Sequence, residues 1–181
     1  MGNVPEFVPF PKISRLRRGC VITEKIDGTN AQVYVTDDNQ VFAASRNRWI
    51  TPDDDNYGFA SWVKTHQDEL VTLGPGRHFG EWWGAGIQRR YGIEEKRFSL
   101  FNAARWGVTR PPCCHAVPIL YDGVFSDNAV NAVLETLRTT GSVAAPGFMN
   151  PEGIVVYMKS SGGLFKFTLD GDGHKEAKGA A

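Results

Sequence analysis

A lysine, an acid and a glycine stand close together in Glu24-Lys25-Ile26-Asp27-Gly28-Thr29-Asn30. A lysine amine is a covalent nucleophile once it has lost its proton. Burial, neighbouring cations or a metal favour that loss. Gly28 permits a tight turn and the close approach of a ligand to the backbone. A hairpin turn would also produce Lys-x-Asp-Gly, so the segment gains meaning from its companions. Glu81 sits inside the apolar, glycine-flanked run His78-Phe79-Gly80-Glu81-Trp82-Trp83-Gly84. Glu152 opens the apolar run Gly153-Ile154-Val155-Val156, and Lys166 lies within Leu164-Phe165-Lys166-Phe167. A charge buried in a strand is costly unless it is paired or liganded. Charges of this kind in one small domain point to a single shared polar site.

Strands must position these residues. Period-two alternation reads as strands over Cys20–Glu24, Ala31–Thr36 and Val41–Ser45, the last two forming a hairpin or meander across Asp37-Asp38-Asn39-Gln40. Further strands are predicted over 77–84, 97–106 and 115–122, with a final pair over 153–158 and 164–169. Phe59, Trp62, Val63, His66, Leu70 and Leu73 follow helical spacing up to a stop at Gly74-Pro75-Gly76. His66 on that stripe reads as a packed residue. Ser126 or Asp127 caps a second helix that Gly141 closes. Asp53-Asp54-Asp55 reads as a solvated loop or a helix N-terminal charge rather than a metal site. The order predicts an α+β domain of antiparallel sheets with helices outside.

With 181 residues the chain is long enough for one domain with its own core. Lys+Arg and Asp+Glu each number 20, which excludes a strongly basic nucleic-acid binder. No apolar stretch approaches the roughly 18 residues of a membrane span. No signal-peptide layout opens the chain. Three cysteines, two of them adjacent, argue against a disulfide framework. The expectation is a cytoplasmic protein without a membrane partner. Residues 1–17 read as an N-terminal extension with a basic run, 18–170 as the domain and 171–181 as a flexible tail. Arg89, Arg90, Lys96, Arg97, Arg105 and Arg110 outnumber Glu94 and Glu95. With Lys12, Arg15, Arg17 and Arg18 they form either a groove for a 5′-phosphate end or a scattered solvated surface.

The ordered segments resemble the covalent nucleotidyltransferases: ATP-dependent polynucleotide ligases and GTP-dependent capping enzymes. Within that superfamily the chain is most similar to ATP-dependent RNA ligases of the phage RNA ligase 2 and kinetoplastid RNA-editing type. Glu24–Asn30, Phe79–Gln88, Tyr91-Gly92 and Phe98–Asn102 carry the resemblance, which covers roughly residues 18–170. It implies a nucleotidyltransferase (ATP-grasp-like) domain that uses ATP with Mg²⁺ or Mn²⁺ and acts on RNA or other polynucleotide ends. Lys25 would attack the α-phosphate to give lysyl-N-AMP. Asp27 would orient the lysine or the metal's water shell. Glu24 and Ile26 would line the adenine or sugar, and Asn30 would contact sugar-phosphate or an incoming strand end. Arg46 would hold ribose or phosphates, Glu81 the ribose hydroxyls, and Phe101 would stack on adenine. Glu152 would bind the metal through water. Lys166 would stabilise the α-phosphate as charge moves to pyrophosphate.

The sequence departs from that pattern in three places. The closing motif usually reads Lys-x-Lys, and here Thr168 follows Lys166-Phe167, with Lys159 as a possible substitute. This RNA-ligase branch often carries His where Asp27 stands. Ligases of this kind add a C-terminal domain, so a partner protein is expected to replace it. A DNA ligase, a capping-type transferase and a non-catalytic nucleotide-binding module are the alternatives.

Overall fold

The computed structural model describes residues 6–11, 13 and 18–170. Lys12, Arg15, Arg17 and the 171–181 tail lie outside the described residues. Ten strands and four helices follow one another: β1 Gly19–Lys25, β2 Thr29–Val35, β3 Val41–Ser45, β4 Trp49–Ile50, α1 Phe59–Thr65, α2 Gln67–Leu70, β5 Gly76–Gly84, β6 Lys96–Leu100, α3 Ala103–Trp106, β7 Cys114–Ala116, β8 Ile119–Val124, α4 Asp127–Thr140, β9 Gly153–Met158 and β10 Leu164–Thr168. They form two sheets, in the orders β10-β9-β1-β8 and β4-β3-β2-β5-β6-β7. This is the α+β arrangement expected, antiparallel except for the parallel pair β6–β7.

Each sheet buries one face under helices. Alternation along β1 puts Cys20, Ile22 and Glu24 inside and Val21, Thr23 and Lys25 on the other face. Cys20 and Ile22 pack with Ile154 and Val156 against Val130 and Leu137 of α4. Ser126 caps α4 by accepting the Ala129 N–H at 3.1 Å. In the second sheet Ala31, Val33, Trp82, Phe98 and Leu100 pack against Phe59 and Val63 of α1, with Leu70 and Leu73 beyond. A third cluster of Ile26, Trp83, Tyr91, Ala103, Val117 and Ala145 fills the joint where the chain crosses between the sheets.

Three predicted elements are corrected. The strand over 97–106 stops at Leu100, because Asn102 accepts the Arg105 N–H at 3.1 Å and caps α3. The strand over 115–122 is two strands in two sheets. Pro118 interrupts it, and its carbonyl accepts the Glu24 N–H at 3.0 Å. The helix expected to run to Leu73 breaks at His66, whose Nδ1 lies 2.8 Å from the Trp62 carbonyl and whose ring packs on Trp62. Asp55 serves the helix N-terminus, accepting the Ala60 N–H at 2.7 Å and the Ser61 N–H at 3.0 Å. Among the described residues no helix is long and apolar enough to cross a membrane.

Candidate active site

The chain leaves β1 at Lys25, crosses from one sheet to the other, and enters β2 at Thr29. Gly28 in that crossing lies against β5. A Cβ there would meet the Trp82 carbonyl oxygen at 2.4 Å and Trp83 Cβ at 2.7 Å. The Gly28 N–H donates to Glu81 Oε1 at 3.1 Å, and Asn30 Nδ2 donates to Glu81 Oε2 at 3.1 Å. Asn30 and Glu81 are direct cross-strand partners, as are Glu81 and Ser99. Glu81 is thus fixed to the lysine-bearing turn from the second sheet.

From the first sheet comes Glu152, one residue before β9. Its Oε1 lies 2.5 Å from Lys25 Nζ. Its Oε2 is buried and accepts no hydrogen bond among the described residues. A buried carboxylate oxygen without a donor is chemically suited to a cation, since buried charges are paired or coordinate metals. Among the described residues no three His, Cys, Asp or Glu side chains converge as a metal cage. Mg²⁺ needs none, since it binds through one or two carboxylates, waters and substrate phosphates. Lys25 pairs with Gly153, which pairs with Thr168, so these three lie in one row. Gly153 is demanded by this approach: a Cβ there would meet the Phe167 carbonyl oxygen at 2.0 Å. Thr23, Val155 and Lys166 form the next row, and alternation puts Lys166 on the face of Lys25. Lys166 is exposed on the edge strand β10, which corrects the expectation of a buried charge. Lys159 does not substitute for the second cation, because it pairs with Asp122 of β8.

The residues flanking Lys25 turn away from it. Glu24 faces away from Lys25, as adjacent strand residues must. Its carboxylate accepts Ser142 Oγ at 2.5 Å and the N–H groups of Val143 and Ala144 at 2.8 and 2.9 Å. Burial pushes its carboxyl up, against the pull of those donors. The Glu24 carboxylate thus holds the loop after α4, on the face of β1 away from Lys25. Ile26 is core in the joint. The Asp27 carboxylate faces Arg89, whose Nε lies 3.1 Å away, rather than Lys25. Arg46 is exposed on the turn after β3, one residue past the Ala31–Ser45 pair. The same register carries it toward Asn30. Phe101 is half-exposed, and its N–H donates to the Phe79 carbonyl at 3.0 Å. The alternation that sets Ser99 beside Glu81 brings Phe101 to the same side.

Among the described residues, several side chains of the basic run find local partners. Lys96 donates to the Tyr57 carbonyl, Arg97 pairs with Glu95, and Arg105 donates to the Leu73 carbonyl. Arg110 donates to the Cys114, Trp106 and Gly107 carbonyls. Backbone acceptors left by short helices and turns hold Lys96, Arg105 and Arg110, of which Lys96 and Arg105 stay exposed. Sequence reading missed the roles of Arg89 and Tyr91. Arg89 reaches Asp27, the Asn150 and Pro151 carbonyls, Asn150 Oδ1 and Asp170. Tyr91 accepts the Asp27 N–H at 2.8 Å. Tyr91-Gly92 stood out as a motif, but no spacing rule ties it to Asp27, 64 residues away.

Burial pushes the Glu81 carboxyl up to about 7, with Glu152 adding to the rise and Lys25, Asn30 and the Gly28 N–H opposing it. Its ordinary value is 4.5. Between the two, the folded protein keeps a proton that the unfolded chain has released. Glu81's contribution to stability is therefore full below 4.5 and lost as pH rises through 7. Glu81→Gln stays neutral throughout. Relative to wild type, its Tm should rise between pH 5.5 and 8.5, by about 5 °C for a domain of this size. Thermal unfolding at both pH values checks this. A difference that stays flat with pH would show that Glu81 titrates normally.

A protein-family model, RNA ligase, matches residues 18–168. The chain belongs to the RNA ligase family. Solved structures of Naegleria gruberi RNA ligase share this family member's fold. A variant with ATP and Mn gives a TM-score of 0.61 at 21% identity over 83% of this chain and 50% of that one. A variant with AMP and Mn gives 0.64 at 19% over 83% and 49%. The form with PPi gives 0.57 at 20% over 83% and 49%. This member of the RNA ligase family spans about half the length of those chains. No curated protein matches it.

Proposed function

We propose that residues 18–170 form the adenylylation domain of an ATP-dependent RNA ligase that works through lysyl-N-AMP. The observation that carries this reading is the convergence at one crossover of Lys25, Glu152 with its unpartnered Oε2, and Glu81. Family membership and the ATP and Mn of the Naegleria structures support it. Lys25 Nζ, as the free amine, forms a bond to the α-phosphorus. The bond from that phosphorus to the bridging oxygen breaks, and pyrophosphate departs. A 5′-phosphate strand end then attacks the same phosphorus, taking AMP and returning the lysine. A 3′-OH finally displaces AMP and joins the strands.

The remaining residues position these groups. Glu81 accepts from the ribose while holding the Gly28 turn, and Phe101 offers a half-exposed ring to the adenine. The Arg46 and Lys166 side chains make no hydrogen bond or ion pair among the described residues, which suits both to phosphate oxygens. Glu152 would hold Mg²⁺ or Mn²⁺, in part through the water shell. The ion supplies positive charge to the phosphate oxygens. Asp27, tied to Arg89, would fix the turn after Lys25. ATP as substrate and three free thiols both suit the cytoplasm.

A slow or idle centre is the second reading. It is favoured by Thr168, which stands across Gly153 from Lys25 where a second cation is expected. One experiment separates the two. Purified protein is incubated with Mg²⁺ or Mn²⁺ and ATP labelled at the α- or the γ-phosphate. The ligase reading expects covalent label from α-labelled ATP alone, removed again by pyrophosphate. A folded protein free of bound AMP that takes no label with either metal sinks it.

A further inference from the structure

The open face of the second sheet does not end at Glu81. Alternation along β5 brings Phe79 and then Arg77 to the same face, and β2 brings Gln32 and Tyr34 beside them. Phe42 lies directly across from Tyr34, and Trp49 across from Ala44. The Tyr34 and Trp49 ring centroids are 5.9 Å apart, and those of Phe42 and Trp49 6.0 Å apart. The Arg77 guanidinium lies over both, 4.9 Å from the Tyr34 centroid and 5.4 Å from that of Trp49. Trp49 is 51% exposed, Phe79 54% and Phe42 44%. On this face of β2, β3, β4 and β5 the single carboxylate is Glu81, already held by Gly28 and Asn30. Among the described residues no helix covers this strip; α1 packs on the other side of the sheet.

We infer that this aromatic and arginine strip binds an unpaired polynucleotide strand entering the adenylylation site. The inference rests on the proposed ligase reading for the arrival of a strand there, and it deepens that reading by naming where the strand lies. Three rings with a guanidinium among them, and no free carboxylate, suit flat bases on an anionic backbone. Base–aromatic stacking is sequence-tolerant because every base has a π-face. Reach agrees with this. From Glu81 to Arg77 is four strand residues, about 13 Å. That is the span of about four nucleotides at the stacked rise of ~3.4 Å. A protein surface would be the other occupant of an apolar face, but the exposed Arg77 and the continuity with a site for strand ends favour nucleic acid.

The test uses a 3′-fluorescein single-stranded RNA octamer with a 5′-hydroxyl, which binds but cannot accept AMP. Fluorescence anisotropy at several salt concentrations gives Kd. Trp49→Ala should weaken binding about 5- to 150-fold, the range that removal of a stacking aromatic produces. Trp49→Phe should restore most of it. Arg77→Gln should weaken binding and lower the slope of log Kd against log salt by about one. Thermal unfolding checks that each variant is folded, and Arg77→Gln keeps the test open if Trp49→Ala is not. Lysyl-AMP formation should be unchanged in all three variants. Binding within twofold of wild type for both Trp49→Ala and Arg77→Gln overturns the inference. So does a wild-type dimer, seen by sedimentation, that Trp49→Ala dissolves without changing RNA binding. Wild-type protein that takes no label from ATP overturns the ligase reading instead, because strand binding is read separately.

Discussion

Lys25→Ala protein is expected to take up no covalent label from α-labelled ATP, a drop of at least about a thousandfold or ~4 kcal/mol of barrier. Lys25 supplies the amine that faces Glu152 at the crossover. The cations around it do not stand in for it. Lys166 is on the same face but two strands away, and Lys159 is paired with Asp122. Truncation also leaves Glu152, only 16% exposed, without its ion partner. A loss of a few degrees in Tm should accompany the lost activity, because an unpaired carboxylate is costly to bury. Lys25→Arg separates the two effects. Its guanidinium can still pair with Glu152 but is no nucleophile, so this variant should unfold near the wild-type temperature and still remain unlabelled. Gel assay after denaturation, beside a melting curve, measures both. Label on either variant would move the nucleophile elsewhere.

Much of this was legible in the sequence because the chemistry sits on strands. Alternation before Lys25 and apolar runs at Glu81 and after Glu152 marked the strands that carry or adjoin them, and their order pointed to one shared site. Alternation also held the answer for Glu24. A residue next to Lys25 in a strand points to the opposite face, so its carboxylate belongs to the core side, under the loop after α4. The two-sheet division was not legible. β1 and β2 follow each other in sequence, yet Ile26, Asp27 and Gly28 carry the chain between sheets, and only the packing of Trp83, Tyr91 and Val117 on Ile26 shows it. Pro118 does the same on the return path. The local partners of the arginines were not legible for a related reason. A run of cations looks like a surface for phosphates until the carbonyls left open by α3 and its flanking turns are located.

The site is divided between two sheets that share few strand contacts, so something must fix Lys25 against Glu152 on one side and Glu81 on the other. Glu81 reaches across by bonding Gly28 and Asn30. Tyr91 holds the Asp27 N–H from the loop between β5 and β6. In that loop Gln88, Arg90 and Tyr91 all have positive φ, near 44°, 62° and 53°. Non-glycine residues held there cost of order 1 kcal/mol each and persist only where the surroundings impose them. What the strained loop delivers is Tyr91 and Arg89 to the same aspartate.

Arg89→Ala is therefore expected to be the most damaging substitution outside the reacting groups. The guanidinium is 18% exposed and joins Asp27, the Asn150 and Pro151 carbonyls that lead into Glu152, and Asp170 after β10. Three chain segments thus meet on one side chain. Its removal leaves Asp27, itself 28% exposed, facing no cation, and frees the segment that sets Glu152. Partial exposure moderates the cost to about 2–4 kcal/mol, or roughly 5–15 °C in Tm for a domain of this size. Adenylylation should fall further than stability alone explains, because small displacements of Glu152 and Lys25 are costly to in-line attack. Arg89→Lys should recover little, since an ammonium lacks the planar fork that reaches several acceptors at once. Asp170→Asn should be mild, because Asp170 is 63% exposed. The decisive measurement is a double-mutant cycle of Arg89→Ala with Asp27→Asn, read by unfolding and by initial labelling rate. A coupling of about 1 kcal/mol or more in both readouts is expected. Additivity in both would mean that Arg89 and Asp27 act separately and that the clasp does not hold the lysine turn.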